Sequence, residues 1–257
     1  MEDLAERKEI KKVDWRRIKR RKDSAVFQTV EEVFDEKTVM ALYQMINQGI
    51  IEGMSGVVKA GKESRIYLAK GTGGEDLAVK IFLTSSMEFK KSMLQYIKGD
   101  PRFKVGHDYR RLVYTWAQKE FRNLTEAHNA KIKVPKPLHA TENIIVMEFI
   151  GENGVSAPIL KELSPEELTL ELYNGIIDSV DKLYNVCGLV HADLSEYNVM
   201  VWKGEPYLID FGQAVLRVHP MAEEFLKRDI DNIIRFFDKA GIDVPESEAV
   251  IKWLNKT

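Results

Sequence analysis

At 257 residues the chain is long enough for one large domain or two lobes, and its net charge of −2 gives no global electrostatic case for nucleic-acid binding. A single cysteine, Cys187, excludes a disulfide framework, and no run of about 18 apolar residues offers a membrane span. The 44% hydrophobic and 30% charged shares are those of an ordinary soluble protein, and a charged N-terminus without an apolar signal core points to the cytoplasm.

Residues 1–23 carry nine basic side chains between Lys8 and Lys22. Such a run is either an arm for RNA or another polyanion, or a solvated tail. With Trp15 as its only large aromatic, the solvated tail is favoured. A helix is predicted over 35–49, with Val39, Leu42, Tyr43 and Ile46 on one face and Gly49 as its stop.

Three strand-like runs follow, Val57–Ala60, Ser64–Ala69 and Leu77–Phe82, joined by the turns Gly61-Lys62-Glu63 and Gly71–Gly74. In the second run, Ile66 and Leu68 fall on one side. The first turn can present backbone N–H groups to phosphate, although it has one glycine where a Gly-rich loop has three. Lys80 interrupts an apolar strand, where an unpaired ammonium is costly, so an anionic partner is expected.

Residues 83–111 read as a mobile insertion containing only short helix. A long helix is predicted from about 108 to 129, with Leu112, Trp116, Glu120 and Leu124 in one i, i+4 row. Glu120 is then an acid in an apolar row, to be met either by Lys80 or, at the helix edge, by Lys119 or Arg122. Residues 143–150 form a buried strand running into Gly151–Gly154, the connector between lobes. Ser164-Pro165-Glu166-Glu167 reads as a helix start, with the helix continuing to Val186 and stopping at Gly188.

The unit Leu189–Gly212 reads as strand, loop, strand, turn, strand. His-x-Asp at 191–193, Asn198 five residues after Asp193, and Asp-Phe-Gly at 210–212 have the spacing of protein-kinase catalytic and metal loops. A helix follows Pro220, and a short one covers about 247–253. Arg228 and Asp229 are expected to be supporting or surface residues.

The chain resembles the RIO family of atypical serine/threonine protein kinases. The resemblance rests on GKESRIYLA (61–69), LAVKIF (77–82), IIVMEFIG (144–151), LVHADLSEYNVM (189–200) and LIDFGQAV (208–215). HADLSEYN and the lack of a winged helix resemble the type-one subfamily. The resemblance implies an α+β, two-lobed protein-kinase-like fold with a truncated C-terminal lobe. The basic arm and helix would occupy 1–49, the N-terminal lobe 50–150 and the reduced C-terminal lobe 151–257.

It also implies roles. Asp193 would be the catalytic aspartate; Asn198 and Asp210 would bind Mg²⁺ or Mn²⁺. Asp210 would also be the residue that takes up phosphate as an aspartyl-phosphate. Lys80 would hold the ATP phosphates, oriented by Glu120, and Lys62, Glu63 and Ser64 would form the phosphate loop. Glu148 C=O and Ile150 N–H would meet adenine, with Met147 on the back wall. The implied activity is ATP-dependent phosphorylation of serine or threonine, with ATP hydrolysis and autophosphorylation (Ser85, Ser86 and Ser92 being candidates). The implied partner is the pre-ribosomal small subunit.

Departures from ordinary protein kinases narrow this. Ala192 stands where an Arg is usual, Ser195 where a Lys is usual, and no Ala-Pro-Glu element follows in the last 45 residues. Peptide recognition therefore has no visible platform. The competing readings are a small-molecule kinase of the aminoglycoside or choline type, and a non-catalytic ATP-binding assembly scaffold.

Overall fold

The computed structural model describes residues 34–84, 89–103 and 108–256, the side chains of 89–92 excepted. The basic arm, Ser85, Ser86 and the Ser92 side chain lie outside the described residues.

The N-terminal lobe is built on a five-stranded antiparallel sheet of β1 (Gly53–Ala60), β2 (Ser64–Lys70), β3 (Asp76–Phe82), β4 (Pro137–Thr141) and β5 (Ile144–Glu148), in the order β1-β2-β3-β5-β4. Helix α1 (Glu36–Asn47) covers one face and α3 (Tyr109–Asn129) lies on the other, after α2 (Phe89–Ile97). The period-2 alternation of β3 sorts its side chains. Leu77, Val79 and Ile81 join the α1 core with Tyr67, Ile144 and Val146. Ala78 and Phe82 join the larger core with Ile145 and Met147, and Ile66 and Leu68 pack on that same side, as the alternation of β2 predicted. Lys80 shares the α3 face with Ala78 and Phe82, which aims it at the cleft.

Asp35 caps α1 by accepting from the Lys37 and Thr38 N–H groups. The same carboxylate accepts from Arg110 at 2.7 Å and from Thr84 at 2.6 Å. One capping residue thus fastens α1, the end of β3 and the start of α3. Within the expected mobile insertion, α2 buries Met93, Tyr96 and Ile97 in the main core; the stretches 85–88 and 104–107 lie outside the described residues.

The C-terminal lobe begins with a short hairpin, β6 (Gly151–Glu152) and β7 (Val155–Ser156). The single helix predicted from Ser164 is two separate pieces. Ser164 N–H and Oγ both bond Glu167 at 2.9 Å, but this box closes only the 3₁₀ turn Pro165–Glu167. Leu168 is buried and extended, so the chain leaves helical geometry there and Thr169 caps α4 (Leu170–Asp181) afresh. A π turn, Lys182–Val186, prolongs α4 to Gly188, whose φ of +64° suits glycine.

Strands β8 (Leu189–Val190), β9 (Val199–Trp202), β10 (Glu205–Leu208) and β11 (Val215–Leu216) follow, then α5 (Ala222–Lys239) and α6 (Ser247–Leu254). The pairs β9–β10 and β8–β11 frame the loops 191–198 and 209–214. The strand-loop-strand-turn-strand order read from the sequence is observed.

Candidate active site

Lys80 is almost fully buried, with a side-chain exposure of 5%, and Glu120 opposite it of 3%. The Lys80 Nζ lies 2.7 and 2.8 Å from the two Glu120 oxygens and 2.9 Å from Asp210 Oδ1. This single ammonium joins β3, α3 and the Asp-Phe-Gly segment across the cleft. Burial alone would favour neutral Lys80, but the charges of Asp210 and Glu120 outweigh it and raise its pKa. Burial pushes the Glu120 carboxyl up while Lys80 pulls it down. With both its oxygens within 2.8 Å of Nζ, we take the pair as ionised. Desolvation within the cleft opposes ionisation of Asp210, although half of its side chain stays accessible, yet Lys80 holds its carboxyl below the usual range.

The alternative partners for Glu120 are engaged elsewhere. Arg122 bonds Glu126 at 3.1 Å. Lys119, fully buried, donates instead to the carbonyls of Gly212, at 2.9 Å, and Ala214. Asn123, one turn on, donates to Phe211 O at 3.2 Å and Ala214 O at 3.0 Å. Helix α3 therefore holds the segment after Asp210 by its backbone. Gly212 allows the approach: a Cβ there would sit 3.0 Å from the Trp116 ring.

Asp193 lies on the facing loop. Its Oδ2 accepts from Asn198 Nδ2 and from Gln213 Nε2, each at 3.1 Å, and its carbonyl accepts from Asn198 at 2.7 Å. Burial, then the charge of Asp210, push its carboxyl up to about 6, against Arg228 and Asn198. It is mostly ionised at neutral pH and can take up a proton. His191 is buried and bonds Ile209 O at 3.0 Å; burial lowers its pKa to about 4, so it is neutral, with Nε2 donating. Ala192 and Asp210 both have positive φ, +64° and +66°, a costly conformation for residues with a Cβ.

Strain at Ala192 is held from α5. Asp229 is buried and accepts from Ala192 N–H at 2.7 Å and Leu194 N–H at 2.9 Å, bracketing Asp193. Arg228 donates to Ala192 O, and Asn232 to Leu194 O at 3.1 Å. These residues support the loop, as the sequence suggested for Arg228 and Asp229. Gln213, Lys119, Asn123 and Asn232 were not foreseen in these roles.

The other sequence-predicted groups lie at the β1–β2 turn and at the end of β5. Gly61 N–H donates to Ser64 O at 2.9 Å, closing the turn that presents Lys62, Glu63 and Ser64. Desolvation and the charge of Asp210 push the Glu63 carboxyl up to about 7, although much of the residue is exposed. Met147 and Ile150 are buried and Glu148 is exposed. Glu148 N–H donates to Lys136 O and Ile150 O accepts from Ala157 N–H. The atoms expected to meet adenine, Glu148 C=O and Ile150 N–H, are the other halves of those residues.

Among the described residues no cluster of three or more His, Cys, Asp or Glu side chains forms a metal cage. The ionised carboxylate of Asp210, with Asn198 held close by the Ile209 N–H bond to its carbonyl at 3.0 Å, instead suits Mg²⁺, which keeps waters and takes most of its remaining ligands from phosphate oxygens.

The two lobes, the buried lysine–glutamate pair and the paired loops together define a protein-kinase-like fold. The family described as "RIO domain" matches residues 65–250, and the chain belongs to it, in its Rio1-type branch. It is 40% identical over 225 residues to the RIO-type serine/threonine-protein kinase Rio1 of Haloferax volcanii, covering 87% of this chain and 77% of that protein. It is 39% identical over 233 residues to serine/threonine-protein kinase RIO1 of Caenorhabditis elegans, covering 89% of this chain but 46% of that protein. The chain thus spans less than half the length of that relative. Among solved structures, the Rio2 kinase–ADP/Mg²⁺–phosphoaspartate complex from Chaetomium thermophilum superposes with a TM-score of 0.65 at 24% identity, covering 84% of this chain and 65% of that one. That likeness is one of fold.

Proposed function

We propose that the chain is an atypical serine/threonine protein kinase that uses ATP with Mg²⁺ or Mn²⁺. The observation that carries this reading is the Lys80 ammonium bonded at once to Glu120 and Asp210, the arrangement a phosphate-holding cleft requires. Lys80 would meet the α- and β-phosphates, and the turn of Lys62, Glu63 and Ser64 would cover them. The bound metal, held by Asn198 and Asp210, would neutralise phosphate charge. Asp193 orients the acceptor hydroxyl and takes its proton. The hydroxyl oxygen forms the new bond to the γ-phosphorus as the bond to the β–γ bridging oxygen breaks, leaving ADP.

A second reading, phosphoryl uptake on the protein followed by hydrolysis, is favoured by the half-exposed Asp210 side chain, 50% accessible beside Lys80. The Rio2 kinase of Chaetomium thermophilum forms a phosphoaspartate complex, which supports the same reading. Action in cytoplasmic small-ribosomal-subunit maturation, with autophosphorylation, belongs to this proposal as an implication of the family resemblance; the basic residues 8–22 are compatible with an RNA partner.

The test follows γ-labelled ATP on the full chain beside Asp193→Ala and Asp210→Ala, counting label on protein and as free phosphate. Label on serine that is lost in Asp193→Ala, with nucleotide binding kept, supports the kinase. Undiminished labelling in that variant sinks the role of Asp193. Mostly free phosphate, lost in both variants, moves the assignment to hydrolysis.

A further inference from the structure

Helix α5 does more than hold the catalytic loop. Beyond Asn232 its next turns, with the 3₁₀ turn Leu160–Glu162 and the loop residue Glu196, line an open surface pocket of about 300 Å³, in which Lys161, Arg235 and Lys239 are exposed. Its charged lining is Lys161, Arg235 and Lys239 against one carboxylate, Glu196. Among the described residues none of the three cations has an ion-pair partner. Lys161 instead lies over the Phe236 ring, 6.0 Å from its centroid. Three unneutralised cations around one concave site raise a local positive potential on a chain whose net charge is −2.

The pocket is tied to the reacting centre from two sides. Asn232 both lines it and bonds Leu194 O. Lys161 N–H donates to Glu196 O at 3.1 Å, three residues after Asp193. Arg235 and Lys239 lie six and ten residues along α5 from Asp229, which grips the loop on both sides of Asp193. At roughly 1.5 Å per helical residue that is about 9 to 15 Å, a span covered by about three to five residues of extended chain.

We propose that this pocket is the substrate subsite for an acidic peptide: it receives a carboxylate or phosphorylated side chain about three to five residues from the phosphorylated serine or threonine. The inference deepens the kinase reading and rests on it.

The test measures binding before turnover. Fluorescent serine peptides carry Asp or phosphoserine three, four or five residues to either side of the acceptor, or Asn and Ser at the same places. Anisotropy gives their affinity for the full chain, with ATP affinity as the control for folding. At one position the acidic peptide should bind roughly tenfold tighter than the neutral one. Arg235→Glu and Lys239→Glu should erase that difference, while Lys252→Glu on the exposed side of α6 should keep it. Under turnover the same preference should appear in KM. Equal affinity of acidic and neutral peptides, or a preference that survives both reversals, overturns the proposal. Displacement of the peptide by much tighter binding polyuridine, with the same sensitivity to the variants, overturns it in favour of RNA. If acid-selective binding is intact but no peptide takes label, the kinase reading fails and the acidic-peptide site stands.

Discussion

Lys119 Nζ donates to the Gly212 carbonyl at 2.9 Å, so a buried amino group, its pKa pushed down to about 7 by burial, fastens the backbone two residues after Asp210. Replacing it with Met leaves the Gly212 and Ala214 carbonyls without this donor. We expect Lys119→Met to lose about 2–4 kcal/mol of stability and to weaken ATP binding through displacement of Asp210. Urea unfolding and nucleotide titration check both. A variant as stable as the parent would show that the bond is idle.

Lys80 and Glu120 predict a non-additive pair. Lys80→Met strands the Glu120 carboxylate in an apolar row and should cost roughly 3–5 kcal/mol. Adding Glu120→Leu should recover most of that stability but none of the ATP affinity. If the double variant is as unstable as Lys80→Met, the stranded charge was not the cause. Thermal melts with and without ATP separate the two effects.

Asp229→Ala removes the acceptor of the Ala192 and Leu194 N–H groups. The loop then loses the bonds that hold Ala192 at φ +64°. Phosphoryl transfer should fall at least about tenfold, as expected when a reacting group is misplaced by an ångström, with ATP affinity changed less. Steady-state kcat against ATP KM is the measurement; an equal loss in both would place Asp229 in nucleotide binding instead.

Asp35 predicts an acid-sensitive joint. Burial opposes its ionisation, but bonds from Thr84, Arg110 and Thr38 outweigh it and lower its pKa from 3.8 to about 2. A depressed carboxyl stabilises the fold above its unfolded pKa and stops doing so as pH falls through its folded pKa. The loss therefore falls between about pH 4 and pH 2. Allowing for solvent screening of this partly exposed site, it is about 1 kcal/mol. Urea midpoints of Asp35→Asn should fall less steeply across that window than those of the parent; parallel slopes would refute the assignment.

The residues of the candidate site were legible because three of them sit at fixed offsets inside one continuous unit. Asp193, Asn198 and Asp210 follow from local spacing, and Lys80 from a charge in an apolar strand. Glu120 was half legible: its row was clear, but whether Lys80, Lys119 or Arg122 met it depended on how β3 approached α3. Asp229 and Lys119 act through backbone groups 35 to 95 residues away, and no side-chain pattern marks a carbonyl or an N–H as a partner. The break at Leu168 was missed because Ser164 and Glu167 satisfy the capping pattern; a buried side chain overrode that local preference.

Asp229 lies 37 and 35 residues after the two peptide groups it grips. A chain grows from the N-terminus at about 5–20 residues per second, so residues 191–194 are synthesised seconds before their clamp. In that interval Lys80 and Glu120 are already synthesised, while the loop that carries Asp193 lacks its clamp. The seating of Asp193 is therefore completed late in translation, when α5 arrives, and a chain interrupted before Arg228 lacks both bonds that bracket it.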